Sequence, residues 1–163
     1  MRTLLILRHA KSSWDDPDID DYDRPLNKRG RKEAKAVGKR MRARLPDLVL
    51  TSTAVRARET VALWQRAAGY QGPIEERREF YLAGPERYLE ALAGLAARGA
   101  TTMVVGHNPG LEELVQRLTG RSEPLPTAAL AELEFGLDSW DHLARGAPAR
   151  LVEVWRVKEL NDD

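Results

Sequence analysis

The sequence predicts an α/β fold in three layers: a mostly parallel central sheet, helices on both of its faces and a late antiparallel strand pair. Three short aliphatic runs, at 4–7, 47–51 and 101–105, are typical of buried strands. Segments with apolar residues at helical spacing separate these runs, and strands that alternate with helices form parallel sheets. Residues 128–135 and 150–157 alternate apolar and polar side chains, which predicts the antiparallel pair.

The helices are predicted from the spacing of apolar residues and from residues that begin or end helices. Asn27 is a suitable N-cap for the first helix, and Pro85 and Gly99 bound the third. The four predicted helices cover about 28–44, 61–68, 85–98 and 111–118, and a weak strand is predicted at 73–78.

The composition is that of a soluble globular protein. The 163 residues are 42% hydrophobic and 31% charged, which suits a single domain over 1–163. A net charge of +1 does not favour nucleic acid as a partner. The absence of cysteine excludes a thiol nucleophile, a disulfide framework and zinc bound by cysteine.

The beginning of the chain bears on its location. Only four strongly apolar residues, 4–7, precede Arg8. This run is too short for the core of a signal peptide or for a membrane span. We therefore expect a cytoplasmic protein with no membrane partner.

Cationic and imidazole side chains follow three of the predicted strands. Arg8 and His9 come directly after the first strand, and His107 comes soon after the third. The segment after the second strand carries Arg56. Because the carboxyl ends of parallel strands meet at one edge of a sheet, we expect these side chains to form one anion pocket. The alternative is that each of these side chains lies separately in water. That alternative does not explain why two of the three histidines directly follow predicted strands.

The expected pocket holds two arginines, two histidines and no carboxylate, a set that suits a phosphoryl group. Metal-dependent hydrolases need carboxylate ligands, and guanidinium groups would repel a zinc ion held by the two histidines. No glycine-rich phosphate loop is present, so nucleotide binding has no support. Covalent catalysis remains: one imidazole attacks phosphorus while the other groups hold its oxygens, with no metal or cofactor.

A run of aspartates between residues 15 and 23 superficially resembles a calcium-binding loop. Counted from Asp16, the sixth position holds Asp21 instead of the turn glycine, and the twelfth holds Asn27 instead of glutamate. We therefore expect an ordinary solvated acidic loop.

Three ordered motifs resemble the signatures of the histidine phosphatase superfamily, also called phosphoglycerate-mutase-like. They are Leu7-Arg8-His9-Ala10, Ser52-x-x-x-Arg56-Ala57-x-x-Thr60 and Gly106-His107-Asn108-Pro109-Gly110. The short chain and Arg24-Pro25-Leu26-Asn27-x-x-Gly30 are most similar to the SixA-type phosphohistidine phosphatases, which lack the large inserted cap of the sugar-phosphate enzymes. The resemblance implies a phosphoglycerate-mutase-like fold.

The resemblance also implies roles for individual residues. His9 would be the nucleophile and become a phosphohistidine. Arg8, Arg56 and His107 would be catalytic groups that clamp the phosphoryl oxygens. Arg24 matches a family arginine that reaches the pocket from the loop, and the alternative for it is an ion pair with the neighbouring aspartates.

Larger members of the family place a carboxylate general acid after the third strand, and Glu79 is the nearest candidate for this proton donor. A phosphoramidate leaving group such as imidazole departs more easily than an alkoxide and needs less proton donation. The poor match at Glu79 therefore favours N-linked phosphate over ordinary esters. His142 matches no motif and is expected at the surface. The tryptophans are expected to be packing residues: Trp14, Trp64, Trp140 and Trp155.

The hypothesis is a metal-independent phosphatase that uses a phosphohistidine intermediate and removes phosphate from phosphohistidine in a protein. One alternative is a phosphatase or mutase of the same superfamily that acts on small phosphoesters. Another is a non-catalytic module that binds phosphate. The expected partner is accordingly a phosphorylated protein or a small phosphorylated substrate, and the sequence leaves the oligomeric state open.

Overall fold

The computed structural model describes residues 1–145 and 148–157, and these residues form one six-stranded sheet in the order β3-β2-β4-β1-β5-β6. The strands are β1 Arg2–Arg8, β2 Leu48–Ser52, β3 Ile74–Arg77, β4 Thr101–Gly106, β5 Leu130–Phe135 and β6 Arg150–Trp155. Strands β1 to β4 pair in parallel, β5 is antiparallel to β1, and β6 is antiparallel to β5. The predicted α/β fold and its late antiparallel pair are confirmed.

Helices cover both faces of this sheet. They are α1 Lys28–Arg40, α2 Val55–Ala68, α3 Pro85–Leu95 and α4 Gly110–Thr119. Short 3₁₀ turns lie at Asp21–Asp23, Arg78–Phe80 and Trp140–Arg145. None of the helices in the described ranges is long and apolar enough to cross a membrane.

The side chains of β1 alternate between two hydrophobic clusters, one on each face. Leu5 and Leu7 pack in the cluster that includes residues of α1 and α2, whereas Leu4 and Ile6 pack in the cluster that includes residues of α3 and α4. A strand between two helical layers is apolar on both sides, which explains the continuous aliphatic run. Burial of each of these side chains contributes about 1.5–3 kcal/mol.

The boundaries of several elements differ from the prediction. Helix α2 begins at Val55 instead of after Thr60, so Arg56 lies in its first turn. The strand predicted from residue 128 begins at Leu130, because Ala128 has a left-handed backbone with φ of 60° that cannot continue a strand. Helix α1 ends at Arg40, earlier than predicted, and turns follow it.

The sheet order brings three strand ends together. Strand β4 lies between β1 and β2, and all three run in the same direction. Their carboxyl ends therefore meet at one edge, where Arg8, Ser52 and Gly106 are the last strand residues.

Candidate active site

A cavity of about 490 Å³ opens at this edge of the sheet. It is lined by Arg8, His9, Lys11, Ser12, Trp14, Asp21, Arg24, Arg56, Leu82, His107, Asn108 and Thr127. The structure thus brings together the residues that the sequence predicted for an anion pocket, Arg24 included.

His9 is buried at the bottom of the cavity and is held by main-chain hydrogen bonds. Its backbone N–H donates to the Gly106 carbonyl at 3.1 Å, and its own carbonyl accepts from the Ala128 N–H at 3.0 Å. The ring Nδ1 lies 2.7 Å from the Ala10 carbonyl, so Nδ1 carries the proton and donates it there. This leaves the lone pair on Nε2, which the Arg56 Nε approaches at 3.4 Å.

The surroundings keep His9 neutral. Burial lowers its pKa to about 3, and the positive charges of Arg56 and Arg8 act in the same direction. A neutral imidazole whose Nε2 carries a lone pair has the protonation state of a nucleophile at physiological pH.

His107 faces His9, with ring centroids 5.1 Å apart. Its Nε2 lies 2.7 Å from the Ser52 hydroxyl, which also accepts the Ala54 N–H at 3.2 Å. The Ser52 proton is therefore free to go to Nε2, which leaves the proton of His107 on Nδ1. That Nδ1 is buried and has no hydrogen-bond partner among the described residues. Burial, followed by the charge of Arg56, lowers the pKa of His107 to about 3.

Two guanidinium groups border the histidines: that of Arg56 is buried, and that of Arg8 is partly buried. Arg56 donates through its two terminal nitrogens to the carbonyl of Asp21 at 2.6 Å and to the carboxylate of Asp21 at 3.1 Å. Arg8 donates to the Leu125 carbonyl at 3.1 Å, and its Nε is buried without a partner among the described residues. We refer to Arg8, His9, Arg56 and His107 as the floor of the pocket.

Arg24 reaches the pocket from the acidic loop, residues 15–23, and it also pairs with an aspartate of that loop. Its Nη1 donates to the Ser12 hydroxyl at 2.6 Å, and its Nε lies 3.1 Å from the Asp21 carboxylate. Arg24 therefore lines the pocket and also forms an ion pair with a neighbouring aspartate, so the two alternatives for this residue are compatible.

The comparisons with known proteins agree with this geometry. A family model of the histidine phosphatase superfamily (branch 1) matches residues 4–82. A SixA protein of Agrobacterium tumefaciens superposes with a TM-score of 0.82 and 33% identity, over 96% of this chain and 98% of that one. This chain belongs to the histidine phosphatase superfamily and is of the SixA type. Family membership and the likeness to SixA support a phosphatase-type hydrolase.

Two sequence relatives extend over most of the chain. An uncharacterized protein of Mycobacterium tuberculosis is 37% identical over 156 residues, which are 88% of this chain and 95% of the relative. An uncharacterized chloroplastic protein of Arabidopsis thaliana is 36% identical over 156 residues, which are 86% of this chain and 69% of the relative.

Two motif residues of this histidine phosphatase hold the loop that follows His9. The Thr60 hydroxyl accepts the Ala10 N–H at 3.0 Å and donates to the Arg56 carbonyl at 2.7 Å. Gly30 approaches the same loop so closely that a Cβ there would lie 2.0 Å from the Lys11 carbonyl oxygen. The motif positions 30 and 60 therefore help to position His9 without lining the cavity.

Asp21 is a charged residue of the site that the sequence analysis did not single out. Its carboxylate contacts Arg24 and Arg56 and accepts the Tyr81 hydroxyl at 2.6 Å. Burial alone would raise the pKa of Asp21, but the Tyr81 hydrogen bond and the Arg56 charge outweigh it and lower this pKa to about 2. One of six loop aspartates is thus an ionised component of the pocket, and no sequence pattern distinguishes it from the other five.

The structure does not bring Glu79 to the cavity. Its carboxylate lies 3.6 Å from the Arg77 guanidinium, its side chain is nearly half exposed, and it does not line the pocket. His142 also lies outside the lining. It sits in the turn that precedes β6 and is partly exposed, which is compatible with the expected surface position.

The tryptophans differ from one another. Trp64 and Trp140 are fully buried, as expected of packing residues. The same expectation is wrong for Trp14, which is 75% exposed and lines the pocket with the guanidinium of Arg24 3.5 Å from its ring centroid. Leu82, 59% exposed, also lines the pocket. We refer to Trp14, Leu82 and the acidic loop as the rim.

Proposed function

We propose that this chain is a phosphatase that forms a phosphohistidine on His9 and removes phosphate from phosphohistidine in a protein. The observation that carries the proposal is the state of His9. Its Nδ1 proton is held by a main-chain carbonyl, its pKa is low, and its Nε2 faces Arg56 in a cationic pocket.

In the first step, Nε2 of His9 attacks the phosphorus atom, and the P–N bond of the substrate breaks. The electron pair of that bond returns to the substrate imidazole, whose other ring nitrogen carries a proton, so a neutral imidazole leaves. In this proposal Arg8, Arg56 and His107, which all line the cavity, hold the phosphoryl oxygens as charge develops on them.

In the second step, water attacks the phosphorus atom of phospho-His9. The Nε2–P bond breaks, its electron pair returns to the His9 ring, the water proton passes to solvent, and inorganic phosphate leaves. Because guanidinium groups supply the positive charge that stabilises both transition states, the proposed mechanism assigns no step to a metal ion.

The lining residues favour a nitrogen-linked phosphate over an ester. Asp21 is the carboxylate that lines the cavity in the described part of the chain, and with a pKa of about 2 it is ionised at neutral pH and cannot donate a proton. Glu79 lies outside the lining. An alkoxide leaving group needs a proton donor, whereas an imidazole that is already protonated on its other nitrogen does not.

The test is to measure phosphate release from a phosphohistidine peptide and from a panel of small phosphoesters. We expect kcat/KM to be at least about 100-fold higher for the phosphohistidine peptide, and His9→Ala to lose about 10⁴-fold or more of this activity. His142→Ala, outside the pocket, is the matched control. Full activity in His9→Ala would refute covalent catalysis. Faster turnover of the esters would favour the small-molecule alternative, and phosphate binding without turnover would favour the non-catalytic module.

Two organisational expectations are also proposals. We propose that residues 1–163 form a single domain, supported by one sheet that contains strands from Arg2 to Trp155. We propose a cytoplasmic location for this chain, although its Arabidopsis relative is chloroplastic. Fractionation of cells that produce the full chain tests the location.

A further inference from the structure

The mouth of the pocket exposes two large apolar side chains. In the described ranges, the exposed large hydrophobic residues are Met1, near the chain terminus, and Trp14 and Leu82, which both line this cavity. Exposed apolar surface next to a polar binding site is typical of a protein interaction surface.

Trp14 is held in place although it is exposed. The Arg24 guanidinium stacks on its ring, and Arg24 is fixed by hydrogen bonds to the Ser12 hydroxyl and to the Ser13 carbonyl at 3.1 Å. A bound side chain therefore meets an ordered aromatic surface, which lowers the entropic cost of association. Tryptophan is also enriched among the residues that dominate interface energies.

The charge of the rim is opposite to that of the floor. Next to Trp14, the acidic loop exposes Asp15, Asp16, Asp18 and Asp20, and none of these carboxylates forms an ion pair with a described residue. A small metabolite with a second phosphate or carboxylate would be repelled by this loop. A polypeptide with lysine or arginine near its phosphorylated residue would be attracted to it.

We propose that the rim is a docking surface for a phosphorylated protein segment that places an apolar side chain on Trp14 and Leu82 and basic side chains opposite the acidic loop. The inference rests on the proposed function, since it takes phosphohistidine as the group bound in the floor. Trp14 and Leu82 line the same cavity as His9, Arg56 and His107, so the rim borders the place where that phosphoryl group would bind.

The first experiment uses three phosphoryl donors: inorganic phosphoramidate and two phosphohistidine peptides with a leucine beside the phosphohistidine. One peptide has lysine and arginine flanks, and the other has glutamate flanks. We expect the wild-type kcat/KM to be about tenfold higher for the basic peptide, with a preference that shrinks at high salt because the loop charges are exposed. Equal rates for the two peptides at low salt would overturn the charge component.

Variants separate the two components of the rim. We expect Trp14→Ala to lower the ratio of kcat/KM for the basic peptide to kcat/KM for phosphoramidate by about 10- to 30-fold, because truncation of an interface tryptophan has effects of this size. The matched control is Trp155→Ala, which removes a tryptophan that also stacks on an arginine, Arg40, but lies outside the pocket lining. Changing the four exposed aspartates to asparagine should abolish the preference for basic flanks. An unchanged ratio in Trp14→Ala would overturn the apolar component.

A binding measurement tests the docking surface independently of the proposed phosphatase activity. If the wild type releases phosphate from none of the three donors, the proposed function fails. The docking inference is then judged by the Kd for a basic peptide that carries a non-hydrolysable phosphohistidine analogue. We expect the Kd to rise about tenfold in Trp14→Ala, and an unchanged Kd would overturn docking. Sedimentation of the free protein tests whether a second copy of this chain occupies the rim instead. A wild-type dimer that Trp14→Ala dissociates would contradict the proposal.

Discussion

The floor of the pocket is buried and held by main-chain hydrogen bonds, whereas its rim is exposed and held by few side-chain contacts. His9 is anchored on both sides by main-chain hydrogen bonds, to Gly106 at the end of β4 and to Ala128 just before β5. Trp14 is positioned by the stacking of a single guanidinium, that of Arg24. The comparison indicates that the sheet preorganises the chemistry, while selection of the substrate depends on exposed groups that can differ without disturbing the sheet.

The two regions also differ in charge and in protonation. The floor combines two guanidinium groups with two neutral histidines, and the rim presents exposed carboxylates. Asp21 belongs to the loop but contacts Arg56, so it joins the two regions.

Among the residues that surround His9, Arg56 should have the largest effect on activity. Arg56→Ala removes a donor to the phosphoryl oxygens, and we expect kcat/KM on a phosphohistidine peptide to fall about 10³-fold. Arg56→Lys should recover only part of this loss, because an ammonium group cannot reproduce the geometry of a guanidinium. Arg58→Ala, an exposed change on the same helix, is the control. Comparable activity of Arg56→Ala and Arg58→Ala would show that Arg56 contributes no more to activity than an exposed arginine does.

Ser52→Ala should have the next largest effect on activity, because it removes the hydroxyl that fixes which ring nitrogen of His107 carries the proton. We expect kcat to fall about 10- to 100-fold, since Nδ1 of His107 is then no longer held as a donor. A role in the position of this proton also predicts a changed pH profile of kcat, which a packing defect would not produce. Ser52→Thr, which keeps the hydroxyl, should restore much of the wild-type profile, and an unaltered profile in Ser52→Ala would exclude this role.

The neutral histidines of the floor should make the fold sensitive to acid. Their pKa is about 3 in the folded protein and near 6.5 in the unfolded chain, so between these values the unfolded chain binds protons that the folded protein does not. This stability is fully present above pH 6.5 and is lost as the pH falls towards 3.

The loss should amount to about 1.4 kcal/mol in the free energy of unfolding per pH unit for each histidine. Urea denaturation at several pH values measures it. The double variant His9→Gln/His107→Gln should have a flatter pH dependence than the wild type, whereas His142→Gln should not. Parallel curves for the double variant and the wild type would contradict neutral burial of the two rings.

Neutralisation of Asp21 should have the smallest effect and the opposite sign. Asp21→Asn removes a negative charge that shares Arg24 and Arg56 with the bound anion, so we expect the Kd for inorganic phosphate to fall about 3- to 10-fold. Asp23→Asn is the control in the same acidic loop. Weaker phosphate binding in Asp21→Asn would show that this carboxylate mainly holds the guanidinium groups in place. Calorimetric titration with phosphate decides between these results.

The floor could be predicted from the sequence because strand ends are encoded locally. The aliphatic run 4–7 identifies β1, so Arg8 and His9 fall at its carboxyl end, and the parallel direction of the strands brings His107 to the same place. The start of α2 is an exception: the sequence predicts it near residue 61, whereas the helix begins at Val55. Arg58 and Glu59 interrupt the apolar spacing in its first turns.

The rim could not be predicted, because its contacts depend on tertiary placement. Six aspartates in the acidic loop are equivalent in sequence, and only the position of Arg56 and Tyr81 makes Asp21 different. The hydrophobicity of Trp14 suggests a packing residue, but its side chain is exposed. Trp14 lies in a loop, where no helical or strand spacing indicates which side chains face solvent.

The most direct test of the account is to trap the phosphorylated enzyme. The wild-type protein is mixed with a ³²P-phosphohistidine peptide, quenched in alkali during the first turnover and digested for analysis of the labelled residue. We expect a label that is stable to alkali, labile to acid and located on His9, and that disappears as inorganic phosphate forms. Phosphate release in a single turnover with no label on His9 would contradict it.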